Sequence, residues 1–218
     1  MLDEGEGSSI VEFDYAHVAP GLGWGDPVRE AVEGLTAGLR ANGEDPSHCP
    51  ADVESALAPL IPRREDLFAT AAPRPGKNPG HVMSTLYLDP SMMIQIVGAP
   101  GGFRLPAHNH AAWNVLFIAE GEMQFRWYRR LDDRSVAGRA DLEVAEDRRL
   151  HSGDAGIVAR PPNDIHELEV VTDYLWMIVV TPEPEVSVRE IYSPQDGTYS
   201  IKSLAPVPPL LTGVSAPA

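Results

Sequence analysis

The chain has a single cysteine, Cys49, in 218 residues. One thiol excludes an internal disulfide and any cysteine-rich zinc site. Positive charge is also scarce. Seventeen Lys and Arg stand against 32 Asp and Glu, a formal net charge of -15. This balance argues against a nucleic-acid partner and against an anionic membrane surface. Long apolar runs are missing, so no transmembrane helix is expected. The opening Met1-Leu2-Asp3-Glu4-Gly5-Glu6-Gly7 lacks both a basic and an apolar region, so no signal peptide is expected. Gly101-Gly102 is followed by no Lys-Ser/Thr pair, which excludes a phosphate loop, and no Gly-x-Ser-x-Gly elbow supports a serine hydrolase. A cytoplasmic protein is the expectation.

What is present is enough apolar material, 43% of residues, for a sizeable core. Asp26-Pro27 reads as a helix start, Val28, Ala31, Val32, Leu35 and Leu39 recur at helical spacing, and Asn42-Gly43 supplies the stop. A second short helix is expected from Ala51 to Leu60. Residues 71–80 read as a linker. From Val82 the texture becomes short β-like runs, near Met83–Leu88, Met92–Val97, His108–Ile118, Met123–Tyr128, Gly156–Ala159, Glu167–Val171 and Leu175–Val180, with an edge run near Tyr199–Leu204. The expected organisation is an N-terminal segment over 1–80, a β-barrel over 81–204 and a flexible tail over 205–218. The acidic stretch Asp132 to Asp147 reads as solvated surface.

The chemistry concentrates in Pro106-Ala107-His108-Asn109-His110. Histidines two apart on a strand share a face. A third, His166, follows the turn-like Pro161-Pro162-Asn163-Asp164. Three neutral imidazoles converging in a barrel form an open transition-metal site, although ligand type alone does not choose the metal. His81, His151, His17 and His48 lie outside this pattern and read as surface residues.

Gly102, His108, His110, Asn114 and Gly121 have a spacing that resembles the first motif of the cupin family, Gly-x5-His-x-His-x3-Glu-x6-Gly, with Asn114 in place of the glutamate. Gly153 to His166 resembles the second motif. Leu105-Pro106-Ala107-His108-Asn109-His110-Ala111-Ala112-Trp113, Glu120-Gly121, Trp127-Tyr128-Arg129-Arg130-Leu131-Asp132-Asp133, Pro161-Pro162-Asn163-Asp164-Ile165-His166 and Tyr87-Leu88-Asp89-Pro90 are similar to bacterial cysteine-dioxygenase-like proteins. The resemblance implies a cupin double-stranded β-helix with an N-terminal helical extension. It also implies a mononuclear Fe(II) held by His108, His110 and His166, and oxidation of a small thiol by O2 to a sulfinic acid. It allows a homodimer, since cupin barrels commonly pair through strands.

Two departures bear on the substrate. Family members that act on small thiol carboxylates carry an arginine just after the tyrosine matching Tyr87, and this chain has Leu88. Leucine cannot replace a bidentate carboxylate clamp. The family's Ser-x-His-x-Tyr segment aligns with Trp176-Met177-Ile178-Val179-Val180, which has none of those polar groups. A substrate other than free cysteine is therefore expected. Asn114 and Tyr87 are the candidate catalytic residues. Asn114 reads as a weak ligand, as a hydrogen-bond partner orienting water or substrate, or as a satisfied buried amide; Tyr87 reads equally as core. Arg104, Trp113 and Trp176 are candidate substrate contacts, with surface or core readings beside them. The rival functions are a cupin oxygenase acting on a non-thiol metabolite and a non-enzymatic metal- or ligand-binding cupin.

Overall fold

A computed structural model describes residues 26–69, 72–73, 80–89, 91–182 and 188–203. The N-terminal 25 residues, most of the expected linker, the tail and His17 lie outside the described residues. Three helices come first: α1 (Asp26–Ala41), α2 (Pro50–Leu57) and α3 (Arg64–Phe68). Twelve strands follow: β1 (Ala72–Pro73), β2 (Val82–Leu88), β3 (Met92–Pro100), β4 (Arg104–His108), β5 (Asn114–Glu120), β6 (Glu122–Arg130), β7 (Leu142–His151), β8 (Ala155–Val158), β9 (Ile165–Val170), β10 (Tyr174–Pro182), β11 (Val188–Ser193) and β12 (Thr198–Ser203). They form two antiparallel sheets. One has the order β1-β2-β3-β10-β5-β8, the other β12-β11-β4-β9-β6-β7. The expected cupin jelly roll with a helical N-terminal layer is the fold observed. Among the described residues no helix is long and apolar enough to cross a membrane.

The helical layer forms because α1 carries an apolar stripe. Val28, Ala31, Val32, Leu35 and Leu39 are all buried, as an amphipathic 3.6-residue period requires. Gly43 ends the helix in the left-handed region, and the Glu44 N–H returns to the Leu39 carbonyl at 2.8 Å. The two helices approach closely: a Cβ on Gly34 would stand 3.0 Å from the Ala56 Cβ. Leu35, Leu57, Leu60, Leu67 and Phe68 then pack on one face of the first sheet, against Ile94, Ile96, Val115, Phe117, Ile178 and Val180. Phe68 stacks on Trp176 with ring centroids 4.1 Å apart.

A second core lies between the sheets. Leu116, Ile118, Val97 and Met177 from the first sheet meet Met123, Phe125, Leu168 and Val170 from the second. Strand alternation separates the two sides, since even and odd positions of β5 serve opposite cores. Polar bonds tie the helical layer to the start of β8 and to Arg160 just beyond its end. Glu54 accepts from the Ala155 N–H at 3.2 Å, Asp45 accepts from the Arg160 N–H at 3.2 Å, and the Arg160 guanidinium donates to the Glu44 carbonyl at 2.7 Å. These bonds cover the β8 edge and fix the start of the turn that leads to β9.

Three expectations need correction. The run His108–Ile118 is two strands on different sheets, separated by a loop in which Ala111 has φ 54°. The stretch from Asp132 to Asp147 is surface, but its last residues belong to an edge strand, Leu142–His151. His81 is buried and stacks on Phe103 rather than lying on the surface. Because Leu57 is fully buried between the helices and the first sheet, Leu57→Ala is expected to lower stability by about 2–5 kcal/mol. The measurement is the urea midpoint at an unchanged slope.

Candidate metal centre

The three histidines converge at one end of the inter-sheet space. His108 ends β4 and His166 is the second residue of β9; the two are direct cross-strand partners. His110 reaches them from the loop after β4. The Nε2 atoms of His108 and His110 are 3.1 Å apart, and one ligand atom from each histidine lies within 4.8 Å of the others. Two donors about 2.1 Å from a shared ion and at right angles sit about 3 Å apart, so the spacing suits a common metal.

Orientation comes from the other ring nitrogens. His108 Nδ1–H donates to the Pro106 carbonyl at 2.8 Å, and His166 Nδ1–H donates to the Asp164 carbonyl at 3.2 Å. Both bonds leave Nε2 as the free lone pair. Burial holds His108 down to about 4, and the charge of Arg189 adds to this. Burial holds His110 and His166 well below the ordinary histidine range, with neighbouring imidazoles and Arg189 adding. The imidazoles are therefore neutral at pH 7, the state in which they ligate metals. Three neutral nitrogen donors with no carboxylate fit Fe, Zn, Cu or Ni, and leave a divalent ion its full charge.

Asp164, which the sequence reading passed over, holds the loop. Its Oδ2 accepts from the Ala111 N–H at 2.9 Å, next to His110. Burial pushes its carboxyl up. Its signal was its place two residues before His166, inside the same turn. Asn109 locks the loop to β11 through three bonds. Its N–H donates to the Glu190 carbonyl at 3.2 Å, its Nδ2 donates to the Glu190 carboxylate at 3.0 Å, and its Oδ1 accepts from the Glu190 N–H at 3.0 Å. Ile191 pairs with His108. Continuing that register sets Arg189 beside His110 and on the same side of the sheet. Arg189 was also missed, because β11 is brought to β4 only by the fold.

The other sequence candidates divide by side of the first sheet. Asn114 opens β5 and shares the inward side of Leu116 and Ile118; it is 2% exposed. Trp113 shares the side of Val115 and Phe117 and packs toward the helices. Trp176 does the same, against Phe68. Tyr87 is also turned to the helical side, because a bulge between Thr85 and Tyr87 pairs it with Ile94. Its hydroxyl donates to Asp89. That bulge returns Leu88 to the inward side, opposite Met93. Arg104 is exposed and forms an ion pair with Glu169 at 2.5 Å. A register shift between Leu105 and His108 breaks the parity that linked Arg104 to the histidines. The structure thus brings Asn114 and Leu88 to the site and takes Tyr87, Arg104, Trp113 and Trp176 away from it.

No protein-family profile matches the chain, and no curated protein matches it. Solved structures similar in fold include KdgF from Halomonas sp., at 18% identity over 49% of this chain and 82% of that one, with a TM-score of 0.38. A cupin 2 conserved barrel protein from Leptotrichia buccalis is 16% identical over 54% of this chain and 46% of that one, with a TM-score of 0.38. The DMSP lyase DddQ from Ruegeria pomeroyi is 17% identical over 67% and 70%, with a TM-score of 0.41.

The centre predicts binding of one divalent transition metal per chain, measured by calorimetry and by a rise in Tm. His166→Ala is expected to weaken binding at least 100-fold (roughly). The sign of the pH dependence follows from the histidines. Unfolded histidines take up protons near pH 6.5, whereas folded His108 does so only near 4. The unfolded state binds more protons in that window, so the metal-free protein loses stability as pH falls from 6.5 toward 4. Thermal melts across that window are expected to show a shallower fall in His108→Gln.

Proposed function

We propose that the centre holds Fe(II) and that the protein is a thiol-dioxygenase-like enzyme. Its substrate would be a small organic thiol other than free cysteine, converted as R–SH + O2 → R–SO2H. The observation that carries this reading is the set of three buried, neutral imidazoles with an amide, Asn114, where a carboxylate ligand would stand. Iron, when bound, lowers the thiol pKa and supplies the redox chemistry for O2.

The chain's own groups supply position and environment. His108, His110 and His166 offer lone pairs without adding negative charge. Arg189, aligned with His110 across β4 and β11, offers a guanidinium for an anionic group on the substrate. It stands on the second sheet, whereas Leu88, in the place of the family's clamp, is on the first. A carboxylate held from this different direction suits a molecule of different length from cysteine. Met93, Met177 and Val179 give the inward face of the first sheet an apolar wall that excludes water. That wall also favours a second reading, an iron oxygenase acting on a non-thiol metabolite, because β10 turns no phenol hydroxyl toward the histidines.

The test uses protein reconstituted with Fe(II) without oxygen and then mixed with O2 and a panel of thiol carboxylates. Uptake of one O2 per thiol, with two oxygen atoms added in the product mass, is expected. Arg189→Leu is expected to raise KM by roughly tenfold or more for carboxylate-bearing thiols, with little change for uncharged ones. Absence of O2 uptake with every thiol overturns the thiol reading. Two-oxygen addition to a non-thiol would establish the second.

A further inference from the structure

The inward face of the first sheet is apolar along most of its length, but four polar side chains gather at the metal end. Thr85, Gln95, Asn114 and Thr181 share the inward side with Met93, Val97, Leu116 and Met177. Two of them serve each other: Gln95 Nε2 donates to Thr85 Oγ1 at 3.4 Å. The other two do not. Asn114 Oδ1 and Thr181 Oγ1 are fully buried atoms with no hydrogen-bond partner among the described residues. Asn114 is 2% exposed and Thr181 is 6% exposed.

Register sets these two atoms side by side. Val180 pairs with Val115 where β10 meets β5. The next step in that antiparallel ladder sets Thr181 beside Asn114. Both lie one pleat beyond Leu116 and Val179, toward the end of the barrel where the histidines converge. On the facing sheet His166 lies one pleat beyond Leu168, and Leu168 and Leu116 belong to the same core. The unspent oxygens therefore look across the inter-sheet space at the three imidazoles.

Burying an unpaired acceptor and hydroxyl costs free energy that leucine and valine would avoid. Such a cost is retained where a ligand supplies the missing partner. Oδ1 only accepts, so the partner must be a donor; Oγ1 serves a donor or an acceptor. We propose that Asn114 Oδ1 and Thr181 Oγ1 form a substrate subsite for a hydroxyl carried on the carbon chain between the anionic group and the reacting atom. The proposal rests on the reading of the three histidines as a metal centre with the substrate pocket in front of it. It makes the substrate a hydroxy acid in class, rather than a plain carboxylate.

The test pairs probes that differ in one donor: 2-hydroxy-3-mercaptopropionate against 3-mercaptopropionate, and lactate against propionate. Binding to the Co(II)-loaded protein is read from visible absorption and from the Tm shift, without turnover. In the natural protein the hydroxylated member of a pair is expected to bind roughly tenfold tighter. In Asn114→Leu and in Thr181→Val the preference is expected to fall to about threefold or less. The metal-free variants should melt no lower than the natural protein, because each removes a buried unpaired group. Equal binding within both pairs, no binding by either hydroxylated probe, or a preference untouched in both variants overturns the proposal. So does a Thr181→Val protein that melts several degrees lower, since the hydroxyl would then serve the fold. Discrimination in the lactate pair with no added affinity from sulfur would leave this subsite standing and remove the thiol reading.

Discussion

Three imidazoles removed from water at one point is the constraint on which the rest of this structure depends. His108 and His166 donate through Nδ1, so their Nε2 lone pairs face the buried site, and the one ring N–H placed to answer either is that of His110, whose Nε2 lies 3.1 Å from His108 Nε2. Protonation, the usual relief, is closed by burial and by Arg189, which hold all three rings neutral. A cation that accepts all three lone pairs satisfies the rings together, which one shared N–H does not. The metal-free arrangement must therefore be imposed by its surroundings, and most of the polar network can be read as that scaffold.

The scaffold runs back to the helical layer. Asp45 and Glu44 hold Arg160, the residue before Pro161, and Glu54 holds the start of β8. The turn that follows delivers Asp164, whose carbonyl orients His166 and whose carboxylate holds the loop of His110. One residue thus couples two ligands that lie 56 positions apart. From the other side, Asn109 and Glu190 close the loop onto β11, and Tyr192 and Arg130 crowd the same carboxylate. The N-terminal layer thus bears on the site through the turn that its bonds to Arg160 anchor. Packing of Leu57 and Phe68 belongs to the site as much as to the fold.

The three-histidine cluster was legible in the sequence because its signals are local: two histidines two apart, and a third after a proline turn. Helix α1 was legible for the same reason, as a periodic apolar stripe with clear ends. Other features depended on contacts between distant segments. β7 reads Glu143-Val144-Ala145-Glu146-Asp147-Arg148-Arg149, with no alternation, because an edge strand exposed on both faces has no apolar side to show. Tyr87 and Arg104 were misplaced by single-residue register shifts, which swap every side chain beyond them to the other face. Trp113 was misplaced because the chain changes sheets between His110 and Asn114. Arg189 and Thr181 carry no motif at all. Their meaning appears only when β11 meets β4 and β10 meets β5.

Charge gives the two sheets different tasks. The second sheet and its loop supply three neutral ligands and one guanidinium. The first sheet supplies an amide, a hydroxyl and apolar walls, and among the described residues no carboxylate faces the histidines from it. A divalent ion at this centre keeps both its charges, and Arg189 adds a third beside it. Asp164 offsets at most one of them, and burial weakens even that by favouring its protonated form. In a site shielded from water such an excess is costly unless the ligand brings negative charge with it. On the proposed reading, a substrate with one carboxylate and one ionisable sulfur would meet that need with two charges. An uncharged thiol would meet it with one. On the proposed reading, an amide instead of a glutamate at position 114 and a guanidinium at Arg189 both favour an incoming anion over a neutral molecule.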